Sequence, residues 1–184
     1  RCMPCLYKHT NMSDKFRNIY RISSSRLSNW DYSNNGYYFI TICTKERNHY
    51  FGEIINNEMN LSEIGLIVHK YWFEIPRHFS FVELDEYVVM PNHVHGIIII
   101  NKKNCRDGAC PVSTECKNTL GNIVGSFKST VTKYANSHRI SFNWQLRFYD
   151  HIIKNEKSLY YIRQYIRDNP LNWETDRNNL SLKS

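Results

Sequence analysis

Two histidines separated by a single residue are the feature of this sequence that most directly suggests chemistry. His93 and His95 stand in the segment Met90-Pro91-Asn92-His93-Val94-His95-Gly96, which leads into four isoleucines. Successive side chains of a β-strand point to opposite faces, so both imidazoles are expected on one face, about 6.7 Å apart along the backbone. Two neutral imidazoles at that spacing suit one divalent cation. The alternative is a pair of histidines that simply pack together on a partly solvent-exposed strand.

A tyrosine and an asparagine nearer the C-terminal end could complete such a site. Tyr165 and Asn169 are four residues apart in a predicted helix and therefore share a face. A phenol hydroxyl can act as a nucleophile, and an amide oxygen can bind a cation that also holds a phosphate. Each residue has a structural alternative, Tyr165 as a half-buried packing residue with a wet hydroxyl and Asn169 as the C-terminal residue of its helix.

The elements that must position these residues follow from hydrophobic periodicity and turn residues. Aromatic and β-branched runs predict strands over residues 37–44, 81–90, 93–100 and 144–153, with Pro91-Asn92 as a hairpin turn. The first helix is predicted to begin at a capping box formed by Asn60 and Glu63 and to stop at Pro76. A second helix is predicted around residues 120–134, and a third over residues 156–169, before Pro170.

The element order β-α-β-β-α-β-α predicts the fold class and the domain organisation. It indicates an α+β fold with a ferredoxin-like antiparallel sheet, the helices packed on one face and the histidine pair on a central strand. Residues 13–175 are expected to form a single domain, with 13–36 as an N-terminal arm and 101–117 as an inserted loop. Residues 1–12 are expected to be a non-native or disordered extension outside the domain, and residues 176–184 a C-terminal tail.

Charge, aromatic content and cysteines narrow the class of partner. Lys and Arg number 24 against 17 acidic residues, giving a net charge of +7, and aromatic residues make up 14% of the chain. This balance favours a polyanion, because cations release counterions from phosphates and aromatic rings stack on bases. No apolar run reaches the roughly 18 residues of a membrane helix, and no signal-peptide core is present, so no membrane partner is expected.

The six cysteines are expected to be reduced thiols of a cytoplasmic protein, since a chain of this size without an export signal belongs in a reducing compartment. The spacing Cys2-x-x-Cys5, combined with the cysteines at 105, 110 or 116, leaves a zinc site as an alternative.

Several motifs, taken in order, resemble those of the single-tyrosine HUH transposases. Pro91-Asn92-His93-Val94-His95 and Tyr165-Ile166-Arg167-Asp168-Asn169-Pro170 resemble the paired motifs of that family. Within the family the chain is most similar to the REP-associated tyrosine transposase branch. The likeness covers roughly residues 17–175 and includes five further pieces: Arg26-Leu27, Trp30-Asp31-Tyr32, Tyr38-Phe39-Ile40-Thr41, Phe51-Gly52-Glu53-Ile54 and Trp144-Gln145-Leu146-Arg147-Phe148-Tyr149-Asp150-His151.

The resemblance implies a metal-dependent endonuclease and strand transferase that acts on single-stranded DNA through a covalent 5′-phosphotyrosine intermediate. Carried onto this sequence, His93 and His95 are the metal-binding pair and Tyr165 is the nucleophile. Asn169 takes the place of the third ligand, where many relatives have glutamine. The implied cofactor is a divalent metal, Mg²⁺ or Mn²⁺. His151 is a candidate proton acceptor or orienting group, with an ordinary strand-edge histidine as the alternative.

Candidate DNA contacts come from basic and aromatic residues near these motifs. The candidates for phosphate contact are Arg17, Arg21, Arg26, Lys128 and Lys133, and those for stacking on unpaired bases are Trp144 and Tyr149. Solvated charge or core packing would explain each of them equally well. The resemblance implies single-stranded or hairpin DNA as the partner. It leaves open a homodimer, as in insertion-sequence relatives, or a monomer, as in the REP-associated branch.

Two other functions are compatible with the same residues. One is a domesticated hairpin-DNA-binding protein with a regulatory or genome-housekeeping role and little catalysis. The other is a metal-dependent phosphoesterase that uses water in place of tyrosine. The three differ in product, because only the strand transferase leaves DNA covalently attached to protein.

Overall fold

The computed structural model describes residues 15–16, 19–20, 30–102, 119–176 and 178–179. The chain divides into two compact units, residues 1–30 and residues 31–184. In the first unit, β1 (Lys15–Phe16) pairs antiparallel with β2 (Ile19–Tyr20). The sequence predicted only an arm in this region, so the short hairpin is an addition to the prediction.

The second unit contains the strands and helices that position the histidines. In chain order they are β3 (Gly36–Thr44), β4 (Gly52–Ile55), β5 (Glu58–Leu61), α1 (Glu63–His78), β6 (Val82–Met90), β7 (His93–Ile100), α2 (Leu120–Ser137), β8 (Trp144–Ile153) and α3 (Glu156–Arg167). Two 3-10 helices, Lys45–Arg47 and Trp173–Thr175, follow β3 and α3. None of the described helices is long and apolar enough to cross a membrane.

The main sheet has four strands in the order β6-β7-β3-β8, and every neighbouring pair is antiparallel. Numbered as the four predicted strands, this order is 2-3-1-4, and it confirms the predicted ferredoxin-like α+β fold. The hairpin turn between β6 and β7 falls at Pro91 and Asn92, as predicted. The His-Val-His segment opens β7, which lies between β6 and β3 and is therefore a central strand.

Both faces of the sheet are covered, and here the prediction that the helices pack on one face needs correction. Trp72 of α1 lies against Gly96 of β7, and Phe127 of α2 contacts Trp72 with ring centroids 5.6 Å apart. The helix α3 packs on the opposite face, where its buried side chains form one cluster with Phe39 and Ile97. The helices α1 and α2 thus share a face and α3 occupies the other.

The physical reason lies in the two central strands. Residues 38–44 of β3 and all but one residue of β7 are buried, so both sides of these strands need a cover. An amphipathic helix pattern identifies which side of α3 is apolar, but it does not identify which face of the sheet that side will meet. The near-continuous apolar runs in the sequences of β3 and β7 could have indicated that both faces of the sheet are covered.

The boundaries of α1 differ from the prediction at both ends. Its N-cap is Ser62, whose hydroxyl accepts a hydrogen bond from the Gly65 amide at 3.1 Å. Asn60, the predicted cap, instead pairs with Glu53 in the β4–β5 hairpin. The helix continues through Pro76 to His78, because a proline in the last turn removes only one backbone hydrogen bond.

The hairpin of β4 and β5 was not predicted, although its turn has a recognisable sequence. Asn56 and Asn57 connect the strands, and their φ angles are 52° and 66°. Asparagine tolerates this left-handed region better than most residues, and two such residues suit the twist of a tight hairpin. The Asn-Asn pair between Ile55 and Glu58 was the missed signal.

The remaining predictions concern the inserted loop, the cysteines and the end of α3. The inserted loop predicted at residues 101–117 lies almost entirely outside the described residues, as do the cysteines at 2, 5, 105, 110 and 116. Cys43 is described: it is buried, and its thiol accepts a hydrogen bond of 2.6 Å from Arg47. The helix α3 ends at Arg167, two residues before the predicted end.

Candidate functional site

The two histidines lie side by side on one face of β7, as the strand period predicts. Their ring centroids are 4.4 Å apart, and His93 and His95 are 0% and 1% exposed. Register with β3 pairs His95 with Thr41 and His93 with Cys43. The imidazoles are therefore held by the interior of the sheet, which keeps their positions fixed.

Asn92 determines which nitrogen of His93 carries hydrogen. Its amide nitrogen donates to two backbone oxygens, that of Arg47 at 3.1 Å and that of Asn178 at 2.8 Å. The amide oxygen must therefore face His93 Nδ1, which lies 2.8 Å away, and this nitrogen must be the donor. Nε2 of His93 then has the lone pair that a metal ion requires.

His95 also contacts Thr41, Phe39 and Tyr165. Its Nδ1 lies 2.9 Å from the Thr41 hydroxyl, and its ring stacks on Phe39 with centroids 5.3 Å apart. Its Nε2 lies 3.3 Å from the phenol oxygen of Tyr165. The nitrogen that faces away from the Thr41 hydroxyl thus points to the predicted nucleophile.

Tyr165 reaches this position from α3. Its ring packs edge-on against Phe39 at 6.1 Å and lies 5.2 Å from the His95 ring. The residue is 44% exposed, so one side of the phenol is open to a substrate. Tyr160 and Tyr161 of the same helix are also exposed. The structure therefore brings His93, His95 and Tyr165 together, as the sequence predicted.

Asn169, the predicted third ligand, lies in the turn that follows α3. Its backbone amide donates to Ile166, and its side chain is 2% exposed. Its Oδ1 is buried and has no hydrogen-bond partner among the described residues. A buried amide oxygen without a partner costs free energy, about 1–3 kcal/mol, unless a water molecule or cation occupies the space beside it.

Asp176 is a candidate ligand that the sequence analysis missed. Ligand atoms of His93, His95 and Asp176 all lie within 4.8 Å of one another, close enough to hold one metal ion. One carboxylate oxygen of Asp176 accepts a hydrogen bond from the Asn178 amide at 2.6 Å, which orients the group. Two imidazoles and a carboxylate are a donor set that fits a divalent cation.

The segment around Asp176 is anchored to the histidines by several contacts. The Trp173 ring lies 6.2 Å from the His93 ring and 5.5 Å from the His49 ring. Asn92 donates to the backbone of this segment at Asn178, as described above. Residues that were predicted to be a tail thus contribute a carboxylate to the site.

His151, the candidate proton acceptor, lies on β8 opposite Phe39 and two strands away from His95. Partial burial lowers its pKa, and the neighbouring Lys154 adds to this effect, while Asp150 opposes it. The ring is therefore neutral near pH 7. The phenol of Tyr165 makes its described hydrogen bond to His95 and not to His151.

The lysines predicted to contact DNA differ in their surroundings. Lys128 donates to the backbone oxygens of Gln145 and Leu146 at 2.6 and 3.3 Å, and burial lowers its pKa. Lys133 is exposed. Arg17, Arg21 and Arg26 lie outside the described residues.

The two aromatic candidates also differ. The Trp144 ring packs between Phe51 and Phe142, with centroids 5.4 and 4.9 Å away, and its indole nitrogen donates to the Lys128 backbone. Trp144 is thus part of the core packing. Tyr149 is 38% exposed and contacts Phe39 at 6.4 Å, beside the histidines. Of the two, Tyr149 is the ring that a base could reach.

Comparison with known proteins identifies a relative in sequence and a solved structure with a similar fold. No protein-family model matches the chain. An uncharacterised protein of Haemophilus influenzae is 40% identical over 170 residues, which cover 86% of this chain and 93% of the relative. A REP-associated tyrosine transposase, solved bound to a REP hairpin, superposes with a TM-score of 0.57 and 18% identity, covering 83% of this chain and 74% of its own.

At 18% identity the second likeness concerns the fold alone, whereas the first reaches across nearly the whole relative. The chain therefore belongs to the same family as the Haemophilus influenzae protein, and it has the fold of a REP-associated tyrosine transposase.

Proposed function

We propose that this protein is a metal-dependent strand transferase that cleaves single-stranded DNA next to a hairpin and becomes linked to it through Tyr165. One observation supports this more than any other. The phenol oxygen lies 3.3 Å from Nε2 of His95, within a group whose histidine and aspartate ligand atoms lie within 4.8 Å of one another. A nucleophile and a cation site that share a histidine are the two parts that phosphodiester transfer requires.

The proposed reaction exchanges one phosphodiester for another. The phenol oxygen of Tyr165 bonds to phosphorus, the bond from phosphorus to the 3′ oxygen breaks, and that oxygen leaves with a proton. The DNA on the 3′ side of the cut stays attached to the protein through its 5′ phosphate. Because the energy of the ester is kept, a second 3′ hydroxyl can later reverse the exchange and join a new end.

The residues of the site divide the remaining tasks. A phenol has a pKa near 10, so only about one molecule in a thousand is ionised at pH 7. A cation held by His93, His95 and Asp176, with Asn169 as a further ligand, would supply positive charge beside the scissile phosphate. We also propose His151, which lies opposite Phe39 in the sheet, as the proton acceptor, because its lowered pKa leaves the ring neutral at pH 7 with a nitrogen free to take up a proton.

The proposed partner is hairpin DNA with an unpaired flank. The solved transposase with this fold is bound to a REP hairpin. The chain has a net charge of +7, and Tyr149 offers an exposed ring next to the histidines. Mg²⁺ and Mn²⁺ both suit a site of imidazole and oxygen ligands, and the imidazole pair favours Mn²⁺ in affinity.

The test is a search for a protein–DNA adduct that survives denaturation. The probe is a pool of hairpins with randomised single-stranded flanks, labelled at the 3′ end because the proposed link retains the 3′ fragment. With Mn²⁺ present, the native protein should give a labelled band at the protein's position on a denaturing gel. Tyr165→Phe should lose that band and keep its affinity for the pool within about twofold, because the ring remains while the nucleophile is gone.

The matched control is Tyr160→Phe, on the same helix and also exposed. It should form the adduct as the native protein does. An adduct that persists in Tyr165→Phe would assign the nucleophile elsewhere. Cleaved DNA without any adduct would favour the water-using phosphoesterase, and tight binding without cleavage would favour the DNA-binding protein.

A further inference from the structure

The helix that bears Tyr165 touches the sheet through a narrow apolar stripe. Its buried side chains are Leu159, Ile162 and Ile166, and they pack against Phe39 and Ile97. Burial of these aliphatic side chains holds α3 against the sheet, but it does not favour one orientation of the helix. The reason is that the hydrophobic effect is non-directional and roughly proportional to the buried area. The stripe alone therefore fixes the rotation of α3 about its own axis only weakly.

Two ion pairs join α3 to β6 on one side of the stripe. Arg163 donates from Nε to both carboxylate oxygens of Asp85, at 3.1 and 3.0 Å, and from Nη2 to Oδ2 at 2.6 Å. Arg167 donates to Glu86 from both Nε and Nη2. We call this set of four residues the β6–α3 ion pairs. A forked guanidinium–carboxylate contact fixes orientation as well as distance.

The acidic partners occupy an irregular position in their strand. The register of β6 against β7 shifts between Leu84 and Tyr87, which is where Asp85 and Glu86 lie. Oδ1 of Asp85 also accepts the Glu86 amide at 2.8 Å, so its carboxylate is oriented by the backbone. Bulges redirect side chains, and this one presents two consecutive acids to the same helix.

The helical period puts these ion pairs and the phenol on opposite sides of the stripe. At about 100° per residue, Arg163 and Arg167 fall on one flank of the buried stripe, and Tyr165 falls on the other. A rotation of α3 that lengthened the contacts to β6 would therefore also swing the phenol relative to His95. Such a rotation would change the distance between the Tyr165 phenol oxygen and His95 Nε2.

We propose that the β6–α3 ion pairs are positioning groups, which set the rotation of α3 and so hold the phenol oxygen of Tyr165 at Nε2 of His95. Their importance for catalysis rests on the proposed function, but their effect on the position of Tyr165 does not. None of the four residues is expected to touch DNA or metal for this role.

The test reads the position of Tyr165 in the metal-free protein by NMR with ring-labelled tyrosine. The Tyr165 resonances lie in the ring-current fields of His95 and Phe39, whereas the Tyr160 ring on the same helix has Tyr161 as its neighbour and serves as a reference that should not move. Asp85→Asn and Arg163→Met should each move the Tyr165 resonances towards those of free tyrosine. The double variant should move them no further than either single change, because both remove the same contact.

Rates provide a second readout. In Asp85→Asn and Arg163→Met, adduct formation with bound hairpin DNA should slow by about tenfold or more, since a small misplacement of a nucleophile has large effects. The affinity for the hairpin pool should change less than twofold. Arg163→Lys keeps the charge without the fork and should be intermediate. The matched control is Glu46→Gln, which removes the exposed Lys45–Glu46 ion pair of the 3-10 helix after β3 and should change neither readout.

Unchanged Tyr165 resonances in the double variant, or effects that simply add, would overturn the proposal. If Asp85→Asn unfolds, Arg163→Lys still decides, because a full native Tyr165 spectrum in that variant would show that the fork is not needed. A native protein that forms no adduct with any DNA would end the proposed function and leave the resonance test intact.

Discussion

In the proposed metal site, the ligand that joins the two histidines is the residue whose identity should matter most. Asn169 has a buried amide oxygen without a described partner, and Asp176 has a carboxylate within 4.8 Å of both imidazoles. A carboxylate brings a negative charge to a divalent cation, whereas an amide brings only a dipole. We therefore expect Asp176 to contribute more to metal affinity than Asn169.

Replacing Asp176 by Asn tests this expectation with little change in shape. The new amide oxygen can still accept the Asn178 amide, so the segment should keep its fold. Affinity for Mn²⁺ should fall by at least the roughly 10- to 100-fold that is typical when a residue that only orients a ligand is removed. Isothermal titration of the purified protein with Mn²⁺ measures it.

Glu174→Gln provides the control, since Glu174 is an exposed acid in the same segment. It should leave Mn²⁺ affinity unchanged. Equal affinity in Asp176→Asn together with a large loss in Asn169→Ser would reverse the ranking and restore the ligand set predicted from the sequence.

These residues also show which parts of the site a sequence can predict. The shared face of His93 and His95 was predictable because the two-residue period of a strand is a local property. The approach of Tyr165 to His95 was predictable because the two motifs resemble those of a family in which they meet. Asp176 belongs to no periodic element, and its position depends on the contacts that Trp173 and Asn178 make with the histidine strand. Contacts between segments so distant in sequence are set by tertiary packing, which a local pattern does not encode.

At the scale of elements, β7 is confined from both sides. One face presents His95 to α3, and the other presents Gly96 to Trp72 of α1. A Cβ at Gly96 would overlap the Trp72 ring. The absence of a side chain at this position is therefore what allows α1 to lie close behind the histidine strand.

Gly96→Ala should destabilise the protein by about 1–3 kcal/mol, the usual cost of inserting an atom into a filled core. Chemical denaturation followed by tryptophan fluorescence measures the free energy of unfolding. The contrasting variant is Gly125→Ala in α2, where a Cβ meets nothing within 4 Å. That change should stabilise the protein by about 0.5–1 kcal/mol, since alanine favours the helix. A neutral Gly96→Ala would mean that Trp72 can move away without loss.

The strands and helices also show which features of the fold could not be predicted from the sequence. The order of strands and helices followed from periodicity, and the ferredoxin-like sheet followed from that order. The face covered by α3 did not follow, because its buried residues Leu159, Ile162 and Ile166 would suit either side of the sheet. The cap of α1 moved from Asn60 to Ser62 because the unpredicted hairpin uses Asn60 as a strand residue.

At the scale of the whole molecule, the net charge of +7 is the property that would govern encounters with DNA in the proposed function. Binding that releases counterions from phosphates weakens as salt rises, and the slope counts the phosphates that are neutralised. Cleavage at Tyr165 and binding through surface cations are separate events in the proposed function. They should therefore respond differently to salt and to substitution.

A salt titration of hairpin binding distinguishes residues that bind DNA through charge from Tyr165, which is proposed to act only in cleavage. The logarithm of the association constant should fall linearly with the logarithm of salt concentration, and Tyr165→Phe should keep the native slope. Lys133→Gln should reduce the slope by about 0.7 to 0.9, the contribution of one phosphate contact, because Lys133 is exposed on α2. Fluorescence anisotropy of a labelled hairpin measures all three. A native slope in Lys133→Gln would remove this lysine from the DNA surface, and affinity that ignores salt would contradict a role for the basic charge in binding.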